Sequence, residues 1–145
     1  MRSARLGILF TFVAATFAWQ TDAGGNTSKS ETKVKATATA SKPDADGKQT
    51  VIITLDIEKG VIVAANPVNH NHGFLDDTKL VVKITAKEQV QVDLKYPPGK
   101  TRRDADDRYD IYEGVVKIHA NVVRTKGDTS PLDVSIRVHG WLPYV

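Results

Sequence analysis

The sequence predicts an all-β fold, a two-sheet antiparallel β-sandwich of about seven strands. Three observations predict it. Apolar and polar side chains alternate two by two along most of the chain after Lys33. Glycine, proline, asparagine and aspartate cut that alternation into short segments. No segment beyond the amino terminus repeats its apolar residues with the period of a helix. A small closed barrel is the alternative architecture for the same pattern.

Residues 109–124 are the centre of this reading. Tyr112, Val116, Ile118, Ala120 and Val122 fall on one side of an extended chain, and Glu113, Lys117, His119 and Asn121 on the other. Successive side chains of a strand point to opposite faces, so the stretch predicts one long strand with a dry and a wet face.

The remaining elements follow in chain order. Residues 1–23 begin with Arg2 and Arg5, continue in an apolar run over residues 6–19, and end on small residues, with Ala18 or Ala23 before a cleavage point. That order predicts a secretory signal peptide, and the run is short for the roughly 20 residues that span a bilayer. An uncleaved membrane anchor is the other reading of this run. Residues 24–31 are small and polar and read as a linker, which leaves residues 32–145 as the domain. Residues 33–40 set Val34, Ala36, Ala38 and Ala40 against lysines and threonines, an edge-like first strand. A turn with Pro43, Asp46 and Gly47 leads to residues 49–58, whose Val51, Ile53, Leu55 and Ile57 point inward.

Residues 61–65 are wholly apolar and predict a short buried strand, stopped by Asn66-Pro67. Residues 69–77 form a polar loop. Residues 80–86 and 90–96 alternate on either side of Lys87-Glu88 and predict a hairpin. Pro97-Pro98-Gly99 closes that unit. Residues 100–108 hold no apolar side chain larger than Ala105 and must lie on the surface. After the central strand and a turn at Gly127 and Asp128, Leu132, Val134, Ile136 and Val138 alternate with Asp133, Ser135, Arg137 and His139. Residues 140–145 read as a short tail.

A chain of 145 residues fits one domain. The formal charge of +3 falls to +2 when Arg2, Arg5 and Asp22 leave with the first 23 residues, and the basic residues are scattered. Neither feature suits a nucleic-acid partner. The chain has no cysteine, which excludes disulfides, thiolate metal sites and thiol catalysis.

Few residues suggest chemistry. His70 and His72 share one side of an extended segment, and imidazole suits copper, zinc or nickel. Two ligands are fewer than a stable site needs, and His119 and His139 add to them only if the fold brings them near. Asp104, Asp106 and Asp107 are acidic enough for calcium, but the spacing is not that of the twelve-residue calcium loop, and Arg102, Arg103 and Arg108 flank them. No Gly-x-Ser-x-Gly turn or phosphate-binding glycine loop is present. His119, beside Lys117 and Asn121, reads as a surface residue rather than a base. The chain reads as a non-enzyme without a cofactor. Trp141 and Tyr144 read as closure of the core or as a contact patch, since aromatics are enriched at interface centres.

The order of several short motifs resembles the amino-terminal periplasmic domain of the thiol:disulfide interchange protein DsbD, the disulfide bond corrector family. The motifs are Leu55-Asp56-Ile57-Glu58-Lys59-Gly60 with residues 61–65 and Asn66-Pro67, then Val92-Asp93-Leu94-Lys95-Tyr96-Pro97-Pro98-Gly99-Lys100. Ile111-Tyr112-Glu113-Gly114, residues 132–138 and Leu142-Pro143 complete them. They cover nearly all of residues 33–143. The resemblance implies an immunoglobulin-like sandwich, and it implies that residues 100–109 match the loop capping the family's active site. That family carries two cysteines after its last strand, the second before a Leu-Pro-like pair. Here Trp141 stands in the second position and the first has no counterpart near Gly140. Thiol–disulfide exchange needs a thiolate, so the resemblance implies fold and compartment without the activity.

The expectation is therefore a periplasmic or secreted, non-catalytic interaction module with no transmembrane span once mature. The resemblance places its partner, a periplasmic redox or membrane-associated protein, at Arg102, Arg103, Trp141 and Tyr144. A histidine-based metal-binding protein and an enzyme of unknown type are the competing readings.

Overall fold

The computed structural model describes the backbone of residues 6–17 and 25–30 and the whole of residues 33–142. The strands are β1 (Leu6–Phe17), β2 (Gly25–Ser30), β3 (Val34–Ala40), β4 (Lys48–Ile57), β5 (Ile62–Ala64), β6 (Val81–Thr85), β7 (Val90–Lys95), β8 (Lys100–Asp104), β9 (Asp107–Tyr112), β10 (Val115–Arg124) and β11 (Leu132–Leu142). Among the described residues the one helical piece is a single 3-10 turn, Asp76–Thr78. Every pairing is antiparallel. One sheet runs β1-β11-β5-β9-β8, with β6 also on β11, and the other runs β2-β3-β4-β10-β7. These are two facing layers with open edges, as the sequence predicted, and not a closed barrel.

Alternation builds the interior. In β10 every second residue is buried, and in β4 Val51, Ile53, Leu55 and Ile57 face the same way. The register sets Ile118 opposite Ile53 and Ala120 opposite Val51. Across the gap lie Val63, Val82, Ile84, Val134, Ile136 and Val138 of the first sheet, all within the main core. Each fully buried aliphatic side chain of this kind contributes roughly 1.5–3 kcal/mol relative to exposure.

Residues 125–131, which join β10 to β11, are held from inside. Arg124 is 3% exposed and its Nη2 donates to the Ser130 carbonyl and, at 3.1 Å, to Ser130 Oγ, with Asp128 Oδ2 at 3.2 Å. Gly47 reaches the same arginine. A Cβ there would stand 2.4 Å from the Arg124 carbonyl oxygen, so only glycine fits its φ of +82° and this close approach.

Several expectations are corrected. Residues 109–124 are not one strand: β9 belongs to the first sheet and β10 to the second, and the chain crosses between them at Glu113-Gly114, where Gly114 takes φ +67°. Residues 80–96 are not a hairpin, because β6 pairs with β11 and β7 with β10. Lys87-Glu88 is a sheet-to-sheet connection, and the layers are tied by Val82 N donating to Tyr96 Oη at 2.9 Å. Residues 100–108 do lie largely on the surface, but as β8 and the start of β9, a hairpin turning at Ala105 with φ +51°. The tail from residue 140 continues β11 to Leu142.

The expected signal and linker also carry backbone structure. Residues 6–17 form β1 along β11, and residues 25–30 form β2 along β3. Both are edge strands, and each satisfies backbone groups of the strand it covers. Ala18 and Ala23, the expected cleavage points, lie outside the described residues.

Candidate functional site

The first sheet is buried on both faces at one end. Val61, Val63 and Ala65 point into the main core, whereas Ile62 and Ala64 point outward into a second cluster with Val68, Tyr109, Ile111 and Trp141. This explains why residues 61–65 are apolar without alternation: a strand covered on both sides needs no wet face. The cover is the segment between β5 and β6.

That segment is fastened along β9. After a cis Asn66-Pro67 bond, Asp110 N donates to the Val68 carbonyl at 2.6 Å, and Asn71 N donates to the Arg108 carbonyl in the β8–β9 hairpin at 3.0 Å. Asn71 Nδ2 donates to the Asp106 carbonyl at 2.8 Å, and Arg108 N donates to Asn71 Oδ1 at 2.9 Å. Asn69 Nδ2 donates to Asp110 Oδ2 at 2.8 Å. One asparagine side chain thus replaces a missing ladder partner with both a donor and an acceptor.

His70 is buried under this loop. Its Nδ1 accepts the backbone N–H of His72 at 3.2 Å, which leaves Nε2 as the proton-bearing nitrogen, 3.5 Å from Asp107 Oδ1. The ring lies 6.1 Å from Tyr109 and 5.1 Å from Phe74. His72 stacks on Phe74 at 5.5 Å with 24° between planes, and Tyr109 meets Trp141 at 5.9 Å. A continuous run of rings therefore leads from Trp141, 8% exposed, to Phe74, 73% exposed. Tyr109 Oη donates to Asp104 Oδ2 at 2.6 Å, and Arg102 Nε lies 3.6 Å from the same oxygen.

The structure thus gathers His70, His72, Arg102 and Trp141 in one region, with Arg103 exposed on the same hairpin. Trp141 is mostly covered and works as the floor of the cluster. Tyr144 lies outside the described residues. His119 stands on the outer face of the second sheet and His139 on the outer face of β11, so the four histidines do not converge. Among the described residues no three His, Cys, Asp or Glu side chains are grouped to hold a metal ion. The acidic trio divides: Asp104 serves Tyr109 and Arg102, and Asp107 faces His70. His139 has its pKa lowered by burial and then by the Arg137 charge.

Sequence reasoning missed Phe74 and Asn71. Phe74 does leave a signal, a lone aromatic following Gly73 in a polar loop. Asn71 leaves none, because its value comes from a hairpin more than thirty residues away. A concavity of about 460 Å³ lies on the flank, between Pro97, Tyr112, Val115 and Lys117, with Lys100 and Glu113 paired at 3.7 Å on its rim.

Fold and site together define a two-sheet antiparallel β-sandwich domain without cysteine, carrying an aromatic cluster on the outside of one sheet. It is similar to a solved structure, the N-terminal periplasmic domain of ScsB from Proteus mirabilis, with a TM-score of 0.56 and 14% identity. The match covers 84% of this chain and 50% of that one, so the chain spans about half the length of its neighbour. At that identity the likeness shows the fold. No family model matches the chain, and no curated protein matches its sequence. Among the described residues no helix is long and apolar enough to cross a membrane.

Proposed function

We propose that this chain is an exported, periplasmic or secreted, non-catalytic interaction module, a cysteine-free relative of the disulfide-interchange sandwich domains. Its contact surface is the β5–β6 loop and the adjoining β8–β9 hairpin. Phe74 is the central contact, and Arg102 and Arg103 stand beside it. The partner is a periplasmic redox or membrane-associated protein. Export rests on the basic, apolar and small-residue order of residues 1–23, together with the likeness to a periplasmic domain. The absence of any sulfur nucleophile removes thiol exchange from what the module can do.

One observation carries the reading. Phe74 is 73% exposed, yet it sits on a loop pinned by Asn69 and Asn71 and stacked on His72. An exposed aromatic on a fixed scaffold loses little freedom on binding, which is the economy that interface anchors exploit. A photo-crosslinking residue at position 74 or 103, in cells exporting the protein, is expected to trap one discrete partner. The same residue at Asn121, on the outer face of the other sheet, is expected to trap none. Equal crosslinking from all three positions, or none from 74, rejects the surface.

A further inference from the structure

Export has a structural consequence at β11. In the full chain, β1 covers one edge of β11 from Leu6 opposite Leu142 to Phe17 opposite Leu132, with a register shift between Phe12 and Ala15 that passes Ser135. β5 and β6 occupy the other edge. Cleavage after Ala18 or Ala23 removes β1 entirely. The bared edge is then eleven residues long, the longest strand that remains, with no proline in it. Protein sheets blunt such edges with prolines, bulges, very short strands or charged side chains; this strand is long and free of proline, and its charges are Asp133 and Arg137.

The geometry points to a second copy of this chain as the occupant, with β11 pairing antiparallel to β11 about a two-fold axis. The inference rests on the export reading above. Its specific support is self-complementarity. Only registers that join like-facing residues keep the apolar face of both strands inward. The register that sets Ser135 opposite Ser135 does this, pairing Val134 with Ile136 and Leu132 with Val138. It also sets Asp133 opposite Arg137 twice, once on each side of the axis. A two-fold interface must be complementary to itself, and an acid and a base placed evenly about one serine satisfy that requirement. Directly opposed unlike charges favour a strand pair and like charges disfavour it. Asp133 and Arg137 are both exposed on the outer face, so reversing them leaves the main core untouched. In this arrangement β1 acts as a placeholder strand, keeping the precursor monomeric until it is cut.

The test uses the exported protein as cells produce it. Intact mass defines its first residue, and sedimentation velocity over a concentration series gives its oligomeric state. The expected result is a trimmed chain that dimerises. Arg137→Asp is expected to weaken the dimer by at least about tenfold, because it opposes two carboxylates twice. Asp133→Arg combined with Arg137→Asp restores the pairing with the charges exchanged, and circular dichroism checks that each variant is folded. A trimmed chain that stays monomeric overturns the dimer and leaves the export reading standing. A dimer unmoved by Arg137→Asp overturns this register and edge. A chain that retains residues 1–17 overturns the dimer, and recovery of the protein only from the cytoplasmic fraction overturns export.

Discussion

The strands β5, β9 and β11 show two different interiors on their two faces. Inward, β5 and β11 meet the second sheet through valine, isoleucine and leucine and β9 through Tyr112, each residue set by the alternation of its own strand. Outward, at one end, the same strands carry Ile62, Tyr109, Ile111 and Trp141 beneath a loop that arrives from elsewhere in the chain. The inner face is made by many interchangeable aliphatic contacts, and the outer one by a few aromatic rings and side-chain hydrogen bonds to backbone. The inner face therefore fixes the fold, and the outer face positions Phe74. The main core and the exposed ring are separated by one layer of sheet.

Substitution on each side breaks the comparison differently. Ile118→Ala, at a position with no exposure, should cost about 2–5 kcal/mol and lower the midpoint of urea unfolding for every probe together. Trp fluorescence and far-ultraviolet circular dichroism should move as one. Tyr109→Phe removes the hydroxyl donor to Asp104 without changing the ring, and should cost about 1.5 kcal/mol, the size of one hydrogen bond to a charged group. Its effect should concentrate in faster amide hydrogen exchange over residues 69–79 and the β8–β9 hairpin. Uniformly faster exchange over β4 and β10 would show that the outer cluster is not separable from the core.

The two faces were not equally legible in the sequence. The inner face was written in alternation, and Val51, Ile53, Leu55, Ile118, Ala120, Val134 and Ile136 all point where that pattern sends them. The crossing at Gly114 was hidden by parity: Tyr112 and Val116 are an even number of residues apart, so the alternation continues unbroken across a change of sheet. The supposed hairpin at Lys87-Glu88 failed for a related reason, since two adjacent alternating strands pair equally well with each other or with distant partners. The outer cluster had no periodic signature. His70, His72, Trp141 and residues 100–108 were each singled out, but only the fold brings them together, and Asn71 and Phe74 gain meaning only in that setting.

Titration probes the two faces at opposite ends of the pH scale. Tyr112, on the inner side, has its pKa raised above 10.0 by burial, opposed by its hydrogen bonding at Asn66 and reinforced by the nearby Tyr96 and Asp110. Tyr96 is raised as well, also first by burial. The folded state thus holds these protons more tightly than the unfolded chain. The stabilisation is complete below pH 10.0 and is lost as the pH rises through the higher folded values. Tyr112→Phe should flatten the alkaline fall in the urea midpoint. An unchanged fall would assign the alkaline loss elsewhere.

The smallest expected effect belongs to His139, on the outer face of β11 two residues from Trp141. Burial and then the Arg137 charge lower its pKa below 6.5. The unfolded chain therefore takes up a proton first as the pH falls, and the folded state loses stability from pH 6.5 downward until His139 itself is charged. Above that window both states are neutral at this site and it contributes no slope. His139→Gln, which cannot be charged, should flatten the dependence of the urea midpoint between about pH 6.5 and 5, with no change above pH 7.5. Arg137→Gln removes one of the two causes and brings the folded pKa part of the way back toward 6.5, so it should reduce the loss below pH 6.5 by less than the glutamine at 139 does, because burial is the larger cause. A slope that survives His139→Gln unchanged would assign the acid sensitivity to a group other than His139.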